Sequence, residues 1–170
     1  LRGLLPALDE AQRRALGDEK EALYRELAEQ MLQPVDGALQ LLQSARAGGW
    51  RLAVCTASPP ENLDIAVARF GLDRRVDAIT SPADGLRGKP HPDIFSEAAR
   101  RLGVAPADCL VFEDAPLGIE AARRAGMAAV ALTTTLPAAA FAPFDNLTHT
   151  MPNFLGFDPD KLANPENEHA

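Results

Sequence analysis

The chain has 170 residues, of which 46% are hydrophobic and 24% are charged. This length suffices for one globular domain with a buried core and a small appendage. The net charge of −7 is not offset by any local cluster of Lys and Arg, which argues against a nucleic-acid partner. No apolar run approaches the roughly 20 residues that span a bilayer, and the amino terminus shows no signal pattern, so no membrane partner is expected.

Two cysteines, Cys55 and Cys109, both lie in apolar runs that are typical of strands. Small buried hydrophobic side chains are the expected role for them, rather than a disulfide or a metal pair. This cysteine usage favours a reducing, cytoplasmic setting.

The first 33 residues predict helices only. Asp9 is placed to cap a first helix, Gly17 to interrupt it, and Asp18 to cap a second helix that ends near Leu32. The second helix is amphipathic, with apolar side chains at four-residue spacing: Leu23, Leu27 and Met31.

From Pro34 onward, helices and strands alternate. Strands are predicted at residues 50–56, 77–81, 109–112 and 128–132, and a weaker one at 147–151. Helices are predicted to start near Asp36, at Pro59–Pro60, near Pro92 and near Leu117. The pattern predicts an α/β fold with a parallel sheet, divided into a helical segment 1–33, a core 34–152 and a polar, partly mobile tail 153–170.

The first candidate site group follows the strand at residues 50–56. Thr56 ends that strand, and Ala57, Ser58 and two prolines lead into the next helix. A hydroxyl with free backbone N–H groups at a helix start can cradle a phosphate. The alternative is that Thr56 or Ser58 only caps the helix.

The second candidate is Lys89, in the loop Gly88-Lys-Pro-His-Pro-Asp. Two prolines stiffen this loop, so the ammonium could be aimed at a phosphate as a compact cation. The alternative is an ordinary solvated lysine. His91, in the same loop, is interpreted as a loop residue and not as a base.

The third and strongest candidate is the acid pair Glu113 and Asp114, at the end of an apolar strand. In an open α/β sheet the carboxyl ends of the strands carry the chemistry, and hard oxygen ligands there suit Mg²⁺ bound together with a phosphate. Two neighbouring carboxylates would repel each other and lose solvation unless a cation lies between them. The alternative is that one acid caps the next helix while the other faces water.

These three segments, in this order, resemble motifs two, three and four of the haloacid dehalogenase superfamily. The matching runs are Leu52-Ala-Val-Cys-Thr-Ala-Ser, Gly88-Lys-Pro-His-Pro-Asp-Ile-Phe and Val111-Phe-Glu-Asp-Ala-Pro-Leu-Gly, and Pro34-Val-Asp-Gly matches the return from cap to core. Within the superfamily, the chain is similar to the β-phosphoglucomutase and phosphoglycolate-phosphatase-like branch. The likeness covers about residues 18 to 135.

The resemblance implies a Rossmann-like parallel sheet with a partial helical cap at residues 1–33. It also implies a Mg²⁺-dependent aspartyl-phosphate mechanism. Thr56 and the Ala57 N–H would hold the transferring phosphate, and Lys89 would stabilise charge on the nucleophile and the phosphoryl group. Asp114 would ligate the metal, and Glu113 would bind it or orient its water.

One family motif is missing from the 170 residues. The family opens with a strand ending Asp-x-Asp-Gly-Thr, whose first Asp is the nucleophile. The only Asp-x-Asp here is Asp158-Pro-Asp160, followed by Lys-Leu instead of Gly-Thr. Because the family's first strand lies between those that end at Thr56 and Glu113, we expect these residues to be part of a longer protein.

The expected function is a phosphatase of small phosphorylated metabolites. A sugar-phosphate mutase of the same family is the nearest alternative, and a catalytically inactive phosphate- or partner-binding protein is another. A dehalogenase is disfavoured by the acid pair. Substrate-lining candidates are Ser58, Asn62 and Arg87; the substrate itself and the oligomeric state do not follow from the sequence.

Overall fold

The first described element is one long helix. A computed structural model describes residues 8–160, and α1 spans Glu10–Met31. Asp9 caps it as predicted: its carboxylate accepts from the Gln12 N–H, and the Gln12 side chain accepts from the Asp9 N–H. The predicted break at Gly17 is wrong. A glycine costs a helix interior only about 1 kcal/mol, which the helix-forming residues around it outweigh.

Helices and strands alternate after α1, which confirms the predicted α/β class. The strands are β1 (Ala53–Cys55), β2 (Ala78–Thr80), β3 (Leu110–Glu113), β4 (Ala128–Leu132) and β5 (Leu147–Met151). The further α-helices are α2 (Ala38–Ala47), α3 (Pro60–Phe70), α4 (Leu72–Arg75), α5 (Asp93–Leu102) and α6 (Pro116–Arg124). Short 3₁₀ turns lie at Pro82–Asp84, Pro106–Asp108 and Ala138–Ala140.

Every strand pairing is parallel, and the pairings fall into two groups. β1 pairs with β2, with Val54 opposite Ile79. β4 lies between β3 and β5, with Phe112 of β3 opposite Val130 of β4. Among residues 8–160, no strand pairs with the remaining edge of β1 or of β3. The family resemblance leads us to expect a further strand at this place.

The core lies between the three-stranded group and its helices. Two large side chains of this core cluster are fully buried, Ile119 of α6 and Phe141, and Ile94 of α5 and Val130 of β4 are fully buried outside it. In contrast, Ala28 is the one buried residue of α1, and Leu23, Leu27 and Met31 are exposed. Within the described range, no helix has both the length and the apolar character needed to cross a bilayer.

The segment after β5 folds back on the core. Phe154 and Phe157 each pack edge-on against Phe112 of β3, with ring centroids 5.3 Å apart. The Trp50 indole N–H donates to Asp160 Oδ1 at 2.9 Å. Aromatic and polar contacts therefore hold Phe154, Phe157 and Asp160 against the core, and the partial mobility of the tail stays a prediction. The rest of the predicted tail lies outside the described residues.

Candidate active site

Lys89 connects the ends of two strands that are not paired with each other. Its Nζ donates to the backbone carbonyl of Cys55, the last residue of β1, at 3.3 Å, and forms an ion pair with the Glu113 carboxylate at the end of β3. The same Nζ lies 5.0 Å from the centre of the Phe95 ring, a cation–π distance. With a side chain only 13% exposed, Lys89 is not an ordinary solvated lysine.

The Glu113 carboxylate points inward. Its side chain is 9% exposed and lies against Gly118, in the first turn of α6, where a Cβ would overlap it. Burial raises the pKa of Glu113, and the nearby Lys89 ammonium counters part of that rise. The acid pair was expected to need a cation between its two carboxylates. For Glu113, that cation is Lys89 of the protein itself.

Asp114 follows the last residue of β3 and is exposed, whereas Glu113 is buried. The Asp114 carboxylate adds to the rise in the pKa of Glu113, though less than burial does. Oδ2 of Asp114 accepts a hydrogen bond from the Thr135 hydroxyl at 3.0 Å. Thr135 follows β4 at the same edge of the sheet, and the sequence reasoning missed it. The run of three threonines directly after β4 was the signal available.

The Thr56 loop adopts a compact turn. The Thr56 hydroxyl accepts from the Ser58 N–H at 3.0 Å, and the Thr56 N–H donates to the Thr80 carbonyl at 3.0 Å. Ala57 between them is exposed, and Pro60 begins α3. Lys89 therefore contacts Cys55, the residue before Thr56, and Glu113, the residue before Asp114. All three predicted βα junctions thus meet at one edge of the sheet.

Two of the three substrate-lining candidates are engaged elsewhere. Asn62 is 6% exposed, and its Nδ2 donates to Oε2 of Glu21 on α1 at 2.6 Å. Arg87 makes a bidentate contact with Asp93, at 2.8 Å for each of two nitrogens. Ser58 is half-buried within the Thr56 turn.

The Asp158-Pro-Asp160 segment lies away from these groups. Asp160 binds the indole of Trp50, which precedes β1, whereas Thr56 follows β1. Trp50 and Thr56 are six positions apart in the sequence, a distance of about 20 Å in an extended chain. Asp160 is therefore at the opposite end of β1 from Thr56.

The oxygen donors fit a Mg²⁺ ion that keeps most of its water. No group of three or more His, Cys, Asp or Glu side chains within residues 8–160 forms a closed cage. Mg²⁺ does not need one, because it is commonly held by one or two carboxylates together with waters and substrate phosphate. The exposed Asp114 carboxylate meets that requirement, whereas Glu113 is committed to Lys89.

The parallel α/β sheet carries Lys89, the Thr56 turn and two adjacent acids at one edge, and a comparison with protein families assigns the chain to a class of hydrolases. A haloacid dehalogenase-like hydrolase family model matches residues 1–126. The chain belongs to this family.

Three relatives give the range of known activities and the shared fold. The chain is 42% identical over 113 residues to validoxylamine A 7'-phosphate phosphatase of Streptomyces hygroscopicus subsp. limoneus, covering 66% of this chain and 53% of that protein. It is 38% identical over 120 residues to β-phosphoglucomutase of Mycobacterium bovis, covering 68% and 45%. A solved family IA, variant 3 hydrolase from Entamoeba histolytica superposes with a TM-score of 0.81 at 23% identity, covering 91% and 71%. The chain thus spans about half the length of the phosphatase and the mutase.

Proposed function

We propose that this chain carries the phosphate- and metal-binding half of a Mg²⁺-dependent phosphatase of small phosphorylated metabolites. The observation that supports it most is the Lys89 ammonium, held between the end of β1 and the end of β3. A largely buried cation at the carboxyl edge of a parallel sheet is suited to stabilise charge on a transferring phosphoryl group.

Each group has a proposed role. The Thr56 hydroxyl and the Ala57 N–H bind the phosphate oxygens at the start of α3, where the helix dipole favours an anion. Lys89 neutralises charge that develops at phosphorus, and Glu113 holds Lys89 in place through their ion pair.

Asp114 is the proposed metal ligand. Mg²⁺, when bound, would offset negative charge on the phosphate and help to orient it. The Asp nucleophile is proposed to come from a strand outside these 170 residues, beside the free edges of β1 and β3.

The proposal is tested with the protein encoded by the complete reading frame. Phosphate release from p-nitrophenyl phosphate and from a panel of sugar and short-chain phosphates is measured in Mg²⁺ and in EDTA. We expect release that depends on Mg²⁺ and disappears in Asp114→Asn. Equal release in EDTA would show that the reaction needs no metal. Full activity of Asp114→Asn would show that Asp114 is not a required ligand.

A mutase is the second candidate, because a β-phosphoglucomutase is among the similar proteins. It is distinguished by conversion of a hexose 1-phosphate to the hexose 6-phosphate without net phosphate release. If neither activity is seen while phosphate still binds, the inactive binding protein is the correct alternative. Halide release in EDTA would instead indicate a dehalogenase.

A further inference from the structure

The ring of Phe95 lies beside the candidate site and at the same time belongs to the core. Phe95 is in the first turn of α5, is 3% exposed, and belongs to the core cluster together with Val111 of β3 and Ile119 of α6. Lys89 Nζ lies over this ring, 5.0 Å from its centre. Core packing alone explains a buried phenylalanine on a helix. It does not explain an ammonium over the ring face, because a lysine normally keeps its charged end in water.

The loop before α5 is tied to the first turn of that helix. The Arg87 guanidinium makes its bidentate contact with Asp93, the first residue of α5, and the Arg87 N–H also donates to that carboxylate at 3.3 Å. In the same turn, the Ile94 carbonyl accepts from the buried Thr80 hydroxyl at 3.1 Å, which fixes α5 to the end of β2. The Phe95 ring is therefore carried by a turn that is fixed both to the loop and to the sheet.

The ring stabilises the Lys89 ammonium in a way that an acceptor oxygen does not. A lysine ammonium has three N–H donors. Among residues 8–160, two oxygen acceptors engage those of Lys89, the Cys55 carbonyl and the Glu113 carboxylate. An aromatic face attracts a cation through its quadrupole without accepting a conventional hydrogen bond. One N–H therefore remains for a phosphate oxygen.

The ring contact gains weight because Lys89 is mostly shielded from water. The Lys89 side chain is 13% exposed, and burial raises the pKa of its carboxylate partner, Glu113. A cation–π contact is worth more at a desolvated site than at an exposed one.

We propose that Phe95 is a positioning residue, whose ring face holds the Lys89 ammonium at the carboxyl edge of the sheet with one N–H left for the transferring phosphate. The part that concerns phosphate rests on the proposed function, whereas the placement of Lys89 by the ring does not. The alternative, in which Phe95 only fills the core, predicts that the electron density of the ring has no effect as long as its shape is kept.

The test changes the charge distribution of the ring and keeps its shape. In the complete protein, Phe95 is replaced site-specifically by phenylalanine with one, two or three ring fluorines, each of which weakens the negative potential of the ring face. Acetylation of Lys89 by an N-hydroxysuccinimide ester is measured by mass spectrometry, with the exposed Lys20 (69%) as the internal reference. We expect the acetylation rate of Lys89 to rise with each fluorine, by about three- to tenfold for three, because a released side chain becomes accessible to the reagent.

The kcat for phosphate release should fall along the same series by a similar factor, while the midpoint of thermal unfolding stays unchanged. Phe141 is the matched control, because it is fully buried in the same core cluster, and Lys89 with Phe95 is the one cation–π pair among residues 8–160. Fluorination of Phe141 should leave both the acetylation rate of Lys89 and kcat unchanged.

An acetylation rate that does not follow the number of fluorines on Phe95 would overturn the proposal, and so would an equal rise in the Phe141 series. A constant kcat in an active protein would overturn the role of Phe95 in the reaction. The acetylation measurement needs no turnover. A rising rate in a protein that releases no phosphate would therefore support the placement of Lys89 by Phe95 and count against the proposed phosphatase.

Discussion

The three-stranded half of the molecule and helix α1 are held by different forces. β3, β4 and β5, with α5 and α6, enclose fully buried side chains that include Ile119 and Phe141. α1 buries a single alanine and depends on hydrogen bonds from Arg69 and Asn62. The difference assigns most of the apolar burial to the half that presents the acids and little of it to α1.

The largest effect on stability should come from removing a buried side chain from the core of the three-stranded half. Phe141→Ala removes a fully buried ring from the core cluster, and we expect it to lower the free energy of unfolding by about 3–5 kcal/mol. Leu27→Ala, on the exposed face of α1, should change it by about 0.5 kcal/mol or less. Urea denaturation of the two variants measures both. Comparable losses of unfolding free energy in the two variants would mean that α1 and the three-stranded half are stabilised in the same way.

Lys89→Ala tests the cation at the centre of the site. We expect the kcat of the complete protein to fall by about 10²–10³-fold, the cost of losing one preorganised charge-stabilising group. Lys20→Ala is the matched control, because Lys20 is an exposed lysine on α1 (69%). A near-normal rate in Lys89→Ala would show that its ammonium does not act on the reacting phosphate.

Gly118→Ala separates helix stability from site geometry. Alanine should favour the helical conformation of α6 by up to about 1 kcal/mol, but its Cβ would overlap the Glu113 side chain. We therefore expect Glu113 to be displaced from Lys89 and kcat to fall, while far-UV circular dichroism still shows the native helix content. An unchanged kcat would mean that the Glu113–Lys89 pair is not needed.

The smallest effect concerns the Arg87–Asp93 pair. The Arg87 guanidinium lowers the pKa of Asp93 from 3.8 to about 2. The pair therefore stabilises the fold fully above pH 3.8, and that stabilisation is lost as the pH falls through about 2. In Arg87→Ala, an NMR titration should show the pKa of Asp93 returning toward 3.8. A pKa that stays near 2 would assign the shift to another group.

Much of the α/β half followed from the sequence. Apolar runs bounded by glycine or proline predicted β4 and β5 with their observed bounds, and β1, β2 and β3 to within a few residues. The meeting of Lys89 with the ends of β1 and β3 also followed, because parallel strands present their carboxyl ends at one edge.

The rest depended on tertiary contacts that no local pattern encodes. The different exposure of Glu113 and Asp114 depends on their tertiary neighbours, Gly118 for Glu113 and Thr135 for Asp114. Gly17 fails to break α1 because helix propensity is only a weak constraint. Asn62 remains a substrate-lining candidate, but its bond to Glu21, 41 residues earlier, was not predictable from the local pattern.

The most direct test of the central claim, that three βα junctions form one phosphate site, is a crystal structure of the complete protein with Mg²⁺ and inorganic phosphate. We expect phosphate within hydrogen-bonding distance of the Thr56 hydroxyl, the Ala57 N–H and Lys89 Nζ, with the metal on Asp114. Phosphate bound elsewhere, or a metal that does not touch Asp114, would contradict it.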